Sequence, residues 1–170
     1  GEFTTLAEVV AEVGADAARY FFVMRRCESH LEFDLELAKA KTADNPVFYV
    51  QYASARIASI FRTRAGSGAP EPDAGGVELG RLALPEELAL IKRLAAYPEV
   101  VAVCARGLEP HPLAQYLVRL AAAFHGYYNR VRVVTEDEGS TRARLALVRA
   151  VGIVLRNGLD LMGVAAPDQM

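Results

Sequence analysis

The chain has 170 residues, of which 52% are hydrophobic and 24% charged, so it is long enough to form one compact domain with a sizeable core. Its formal net charge of −2 excludes a protein that binds polyanions over its whole surface, and any contact with nucleic acid has to come from a local patch. Charged residues interrupt every apolar run before it reaches membrane-spanning length. The two cysteines, Cys27 and Cys104, lie far apart and predict free thiols rather than a disulfide or metal scaffold.

Helical periodicity dominates the first half of the chain. Each predicted helix there follows a residue whose side chain can cap free backbone N–H groups. The four pairs are Thr4 or Thr5 before a helix that ends at Gly14, Asp16 before residues 17–26, Asp34 before residues 35–41, and Asn45 before residues 46–64.

The second half is also predicted to be helical. Pro85 begins a helix that Pro98 closes, residues 98–106 form another, Pro112 begins a long one, and Thr141 caps the last, before a turn over residues 158–163. Gly152 inside that last helix indicates close approach by a neighbouring helix. Glycine, alanine and proline predict a flexible linker at about residues 65–80, and residues 131–134 are the only hint of a strand. The predicted fold class is therefore all-α, a helical bundle.

The helix that follows Asn45 carries an unusual set of side chains. Tyr49, Tyr52 and Arg56 recur at helical spacing on one side of it. Two interpretations stay open: tyrosines beside an arginine can stack on unpaired bases and neutralise phosphate, whereas aromatic residues are more often part of a core.

No catalytic constellation is visible in the sequence. His30, His111 and His125 are scattered without metal-ligand spacing, and no metal site is predicted. The Gly-Ser-Gly segment at residues 66–68 is not a phosphate loop, because no strand precedes it and no Lys-Ser/Thr pair follows it. The chain is therefore predicted to bind and position a partner.

Six segments carry a resemblance to a known family. They are residues 16–22 (DAARYFF), 33–38 (FDLELA), 45–56 (NPVFYVQYASAR), 124–129 (FHGYYN), 141–147 (TRARLAL) and 161–170 (LMGVAAPDQM). In this order and spacing they resemble arginyl-tRNA synthetases, which are class I aminoacyl-tRNA synthetases.

The resemblance implies an organisation and an activity. Residues 1–44 would be a helical segment that joins a catalytic domain to residues 45–170, an anticodon-binding helical domain of the DALR type. The parent enzyme would attach arginine to its tRNA in the cytoplasm, using ATP and Mg²⁺. Motifs of the Lys-Met-Ser-Lys and His-Ile-Gly-His types cannot be placed on this sequence, and it lacks an initiator methionine. We therefore expect a fragment that has no cofactor and no catalytic activity of its own.

The resemblance also implies a binding site. Its partners would be the anticodon loop of the tRNA for arginine and the parent's own catalytic domain, with neither DNA nor a membrane. Residues expected around the middle anticodon base, a cytosine, are Tyr49, Tyr52, Tyr128 and Met170, with Asn129 and Gln51 as weaker candidates, and Arg56 is expected to neutralise phosphate. Arg62 and Arg142 are further candidates for phosphate contacts.

Two alternatives remain at this point. One is the related helical tRNA-binding domain of another synthetase. The other is a helical protein–protein docking domain without an RNA partner, in which the aromatic helix packs against another chain.

Overall fold

A computed structural model describes residues 5–30, 32–66 and 77–170, and over these ranges the protein is all-α, as predicted. The helices are α1 (Leu6–Val13), α2 (Ala15–Val23), α3 (Leu35–Lys39), α4 (Pro46–Gly66), α5 (Pro85–Gly107), α6 (His111–Arg130) and α7 (Glu138–Leu161), with a short 3₁₀ helix at Leu79–Arg81. The described residues contain no strand, so the strand hinted at by residues 131–134 is wrong.

Three of the predicted helix caps are confirmed. Thr5, Asp34 and Asn45 each accept a hydrogen bond from a backbone N–H in the first turn of the following helix. Asn45 does more than cap, since its amide nitrogen donates to the carbonyls of Ala38 and Ala40 at 3.0 and 2.8 Å. These two bonds tie α3 to the start of α4 and fix where the aromatic helix begins.

The predicted cap of α2 is wrong. The helix begins one residue before Asp16, which therefore lies in its first turn. The carboxylate of Asp16 is used elsewhere: it accepts hydrogen bonds from the side chain of Gln51 and from the backbone N–H of Ala165. A long-range contact has displaced the local one here.

The predicted cap of α7 is also wrong. Asp137 caps the helix by accepting from the backbone N–H groups of Gly139 and Ser140. Thr141 is fully buried one turn later, where its hydroxyl oxygen accepts from the backbone N–H of Thr135 at 2.9 Å. α7 therefore begins earlier than predicted, at Glu138, and the Asp137 carboxylate also stabilises the positive end of the helix dipole.

The predicted break at Pro98 is wrong, since α5 continues through it. A proline inside a helix removes one N–H donor and crowds the carbonyl four residues earlier. Packing against α6 on the N-terminal side of Pro98 offsets this cost. The ring of Tyr97 lies 5.8 Å from that of Tyr116, and the Tyr116 hydroxyl donates to the carbonyl of Arg93 at 2.9 Å.

The core lies between α4, α6 and α7, with α5 packed on α6 and α7, and with α2 packed on α4. The close approach predicted at Gly152 is confirmed, since a Cβ there would lie 3.1 Å from Cγ2 of Ile57 on α4. Gly158 was expected in a terminal turn but lies inside α7, where a Cβ would meet Cδ2 of Leu117 at 2.6 Å. Both glycines let α7 sit close to its neighbours.

Residues on both sides of the predicted boundary at residue 44 share this core. Tyr20 on α2 is fully buried, and its hydroxyl donates to the carbonyl of Ala114 on α6 at 2.9 Å. The boundary itself stays a prediction. Of the linker predicted at about 65–80, residues 67–76 lie outside the described residues, and α4 continues to its last residue, Gly66.

The helices that the structure describes include none with the length and hydropathy needed to cross a membrane.

Two glycine substitutions test the packing of α7. We expect Gly158→Ala to lower the free energy of unfolding by about 1–3 kcal/mol, because the added methyl group would collide with buried Leu117. Gly126→Ala on α6 is the matched control, since a Cβ there meets nothing within 4 Å. It should leave stability unchanged or raise it by up to about 1 kcal/mol. Urea unfolding measures both, and a Gly158→Ala protein as stable as the control would contradict this packing.

Candidate functional site

A pocket of about 480 Å³ lies where α4, the end of α6 and the end of the chain meet. We call it the ring pocket. Its lining residues are Tyr52, Ala55, Arg56, Ser59, Arg62, Tyr128, Gln169 and Met170.

The guanidinium of Arg56 organises the ring pocket. Its central carbon lies 4.7 Å from the centre of the Tyr52 ring and 5.1 Å from that of Tyr128, which is cation–π distance for both. It also donates to the Tyr52 hydroxyl at 2.9 Å, a contact that their four-residue spacing on α4 makes possible. Each tyrosine keeps 39% of its surface exposed. The rings are therefore held in place without being sealed in the core.

His125 supports this arrangement from behind. Its Nδ1 lies 3.2 Å from Nη1 of Arg56, and because a guanidinium only donates, Nδ1 has to accept. The ring is then the neutral tautomer, whose Nε2–H donates to the carbonyl of Tyr49 at 3.4 Å. Burial, assisted by the positive charge of Arg56, lowers the pKa of His125. A neutral acceptor thus fixes the guanidinium from the core side.

The chain turns back after α7 and docks against α2 and α4. Val164 is buried, and the backbone N–H and carbonyl of Ala165 are both hydrogen-bonded. Its N–H donates to the carboxylate of Asp16 at 3.2 Å, and its carbonyl accepts from the Gln51 side chain at 2.9 Å. The tail is therefore part of the folded structure.

Two arginines hold the tail further along. Arg62 on α4 donates to the carbonyl of Asp168 at 2.8 Å, and Arg156 on α7 pairs with the Asp168 carboxylate at 2.9 Å. This anchor places Met170 in the wall of the ring pocket, where the residue remains 56% exposed. The chain end thus supplies an apolar wall beside the tyrosines.

The structure brings together four of the residues that were predicted to form the site. Tyr52, Arg56, Tyr128 and Met170 all line the ring pocket. Tyr49 lies one layer deeper, half-buried with its ring 4.7 Å from the ring of His125. Its contribution is to support the pocket rather than to line it.

The other candidate residues differ in where they lie relative to the ring pocket. Asn129 is exposed and lines a neighbouring cavity of about 730 Å³. Arg142 is not among the lining residues, whereas Arg62 is. Gln51 holds the tail through Ala165.

Sequence reasoning missed the role of His125. The sequence predicted no role for this residue, and the structure shows its ring hydrogen-bonded to Arg56 and to the carbonyl of Tyr49. Its contact with Arg56 spans 69 residues, and no periodicity within one helix reveals such a contact. The only local signal was its place four residues before Asn129, inside the segment FHGYYN.

The chemistry available here favours binding. Among the described residues no group of three or more His, Cys, Asp or Glu side chains could hold a metal ion. The ring pocket instead offers two partly exposed aromatic rings, two arginines and an amide. A planar ligand with polar edges and a nearby negative charge matches this set.

Comparisons with known proteins point the same way. The family model of the DALR anticodon binding domain matches residues 50–170. The arginine–tRNA ligase of Geotalea daltonii is 52% identical over 170 residues, which are 100% of this chain and 30% of that protein. The chain thus spans less than a third of the length of this curated relative.

Solved structures share the fold over nearly the whole chain. The arginyl-tRNA synthetase of Thermus thermophilus superimposes with a TM-score of 0.79 at 34% identity, over 99% of this chain and 28% of that one. A Campylobacter jejuni crystal structure provisionally described as an arginyl-tRNA synthetase gives a TM-score of 0.86 at 31% identity, over 100% of this chain and 36% of that one. The resemblance stated from the sequence is confirmed.

The neutral state of His125 makes stability depend on pH. Its pKa is lower in the folded chain than its ordinary value of about 6.5, so the unfolded chain binds more protons as the pH falls below that value. We expect the free energy of unfolding to fall between pH 7.5 and 5.5. His125→Asn keeps an acceptor near the Nδ1 position but does not titrate, so this variant should lose less stability over the same range. If urea unfolding showed the same loss of unfolding free energy in both proteins, the neutral state of His125 would be contradicted.

Proposed function

Because this chain belongs to the DALR anticodon binding domain family, we propose that it is the anticodon-binding part of an arginine–tRNA ligase. Relatives that carry this name match the full length of the chain at 52–53% identity. Their matched share is 30%, so attachment of arginine to tRNA is proposed for a larger parent protein.

The ring pocket is the observation that carries this proposal. Sequence-specific RNA recognition mostly uses loops, whose unstacked bases can lie against aromatic rings and guanidinium planes. Tyr52, Arg56 and Tyr128 offer such faces in one cavity, and the rings remain partly exposed. One base of an anticodon loop would enter there.

The middle anticodon base, a cytosine, is the proposed occupant. Tyr52 and Tyr128 would stack on it, and Met170 would close the pocket with a polarisable apolar contact. The amino group of cytosine needs an acceptor, which Gln169 or main-chain groups near the chain end can supply. Arg56 and Arg62 would neutralise adjacent phosphates.

The remaining roles belong to the parent. ATP and Mg²⁺ would bind its catalytic domain, which would also contact this chain directly, and the parent would work in the cytoplasm. We expect no arginine-dependent ATP consumption by the isolated chain, even when tRNA is present. The comparisons favour this family over the helical domain of another synthetase, and they offer no support for a protein-docking domain.

Base reading can be measured directly on the 170-residue chain. We expect an anticodon stem–loop with cytosine in the middle position to bind more tightly than stem–loops with uracil, adenine or guanine there. The reason is that the proposed acceptor, Gln169 or the main chain near Met170, would pair with the amino group of cytosine, and each of the other bases presents a different edge there. Fluorescence anisotropy gives the ratio of affinities. Equal affinities for all four RNAs would contradict base reading.

Ring stacking predicts a graded response at Tyr128. Tyr128→Ala should weaken stem–loop binding by about 5- to 150-fold, which corresponds to about 1–3 kcal/mol for one stacked base. Tyr128→Phe keeps the ring and is the matched control, so it should bind nearly as well as the unaltered chain. A similar loss in both variants would show that the hydroxyl, and not the ring face, matters.

Deletion of Met170 tests the closing wall. We expect weaker binding of the cytosine stem–loop with an unchanged urea midpoint, because the side chain is exposed and Asp168 still anchors the tail. Undiminished affinity would remove Met170 from the site.

A further inference from the structure

A second cavity, lined with arginines, lies beside the ring pocket. It has a volume of about 550 Å³ between α4 and α7, and Arg62, Arg149 and Arg156 all line it. We call it the basic groove. We propose that the basic groove binds the sugar-phosphate backbone of the RNA whose base occupies the ring pocket. This inference rests on the proposed function and extends it to a surface on α7.

The arrangement of charge favours an anionic ligand. Among the described lining residues Asp168 is the only acidic one, against three arginines, although the whole chain carries a net negative charge. Arg149 and Arg156 are seven residues apart and therefore share one face of α7. Gly152, between them, brings α7 against α4, so that Arg62 lines the same groove.

The basic groove is continuous with the ring pocket. Arg62 lines both cavities, and the tail crosses from one to the other: Asp168 lines the groove, and Met170 lines the pocket. An RNA strand with one base stacked on the tyrosines therefore has neighbouring phosphates beside the groove. This continuity selects RNA backbone over an unrelated acidic partner.

The arginines are suited to this ligand. A guanidinium has five N–H donors in a planar fork that matches phosphate oxygens. Arg62 and Arg156 each hold Asp168 through one N–H group of the guanidinium, and each guanidinium has further N–H donors. The guanidinium of Arg149 lies over the ring of Phe61 at 4.9 Å, which holds its plane within the groove.

Salt dependence is the test, because each phosphate contact contributes a defined slope. For Arg149→Gln we expect the slope of log K against log salt to become shallower by about 0.7–0.9. Affinity should fall by the same factor for the cytosine stem–loop and for stem–loops with another middle base. Arg106→Gln is the matched control, since Arg106 is exposed on α5 and lies outside the basic groove. An unchanged slope in Arg149→Gln would overturn the proposal.

A gain of charge gives an independent test that does not remove a packed side chain. Ile153 lines the basic groove and is 54% exposed, so the fold should accept a lysine there. We expect Ile153→Lys to steepen the slope of log K against log salt by about 0.7–0.9. Leu88→Lys on α5, at a position 44% exposed, is its control. Equal slopes for the two lysine variants would overturn the proposal.

The outcomes separate this proposal from the function on which it rests. Base preference with unchanged slopes would mean that the ring pocket works and the groove does not. Changed slopes without base preference would mean that the groove binds RNA while the ring pocket reads nothing. A glutamate-rich peptide serves as a further probe. If Arg149→Gln weakened its binding and left RNA binding unaltered, the groove would be a protein site and the proposal would be wrong.

Discussion

The contact of one guanidinium with two tyrosine rings from different helices is the interaction on which the site depends. Arg56 and Tyr52 come from α4, and Tyr128 comes from the end of α6. A cation–π contact is worth about 0.5–1 kcal/mol when exposed and about 2 kcal/mol when desolvated. Two such contacts, with hydrogen bonds to Tyr52 and His125, hold three mobile side chains in one geometry. The ligand would then meet a preformed surface and would lose less conformational freedom on binding.

The bundle explains why these side chains meet. Small residues such as Ala53 and Ala121 are fully buried in the core that α4 and α6 share, which lets the two helices lie close. His125, on the inner side of α6, turns that proximity into a specific contact with Arg56. Core packing thus sets the distance between the helices, and the buried neutral ring of His125 orients the guanidinium of Arg56.

The tail is the second element of the design. A chain end is usually poorly ordered unless contacts hold it. Here Asp16, Gln51, Arg62 and Arg156 hold the backbone and one side chain of residues 165–168. Met170 can form a wall of the ring pocket only because of these contacts. They also place the tail between the ring pocket and the basic groove, so that one short segment borders both surfaces.

Local patterns predicted more of this molecule than long-range contacts did. The all-α fold and the caps at Asp34 and Asn45 follow from side-chain chemistry within a few residues. The pairing of Tyr52 with Arg56 follows from a single helical turn. Pro98 was misjudged because contacts between α5 and α6 outweigh its local cost.

Other features depend on residues far apart in the chain. Asp16 was expected to cap a helix, but its carboxylate accepts a hydrogen bond from the backbone N–H of Ala165, 149 residues later in the chain. His125 and Arg56 are also in contact although they are 69 residues apart, and helical periodicity carries no information about such pairs. The resemblance to a family supplied what spacing could not, since it placed Tyr128 and Met170 in the same site as the aromatic helix.

The most direct test of a base held against these rings is an NMR measurement on the chain bound to an anticodon stem–loop. Intermolecular nuclear Overhauser effects would be recorded from H5 and H6 of the middle cytosine. We predict contacts to the ring protons of Tyr52 and Tyr128 and to the methyl group of Met170. A bound RNA whose middle cytosine shows contacts only to its own neighbouring bases would contradict the account.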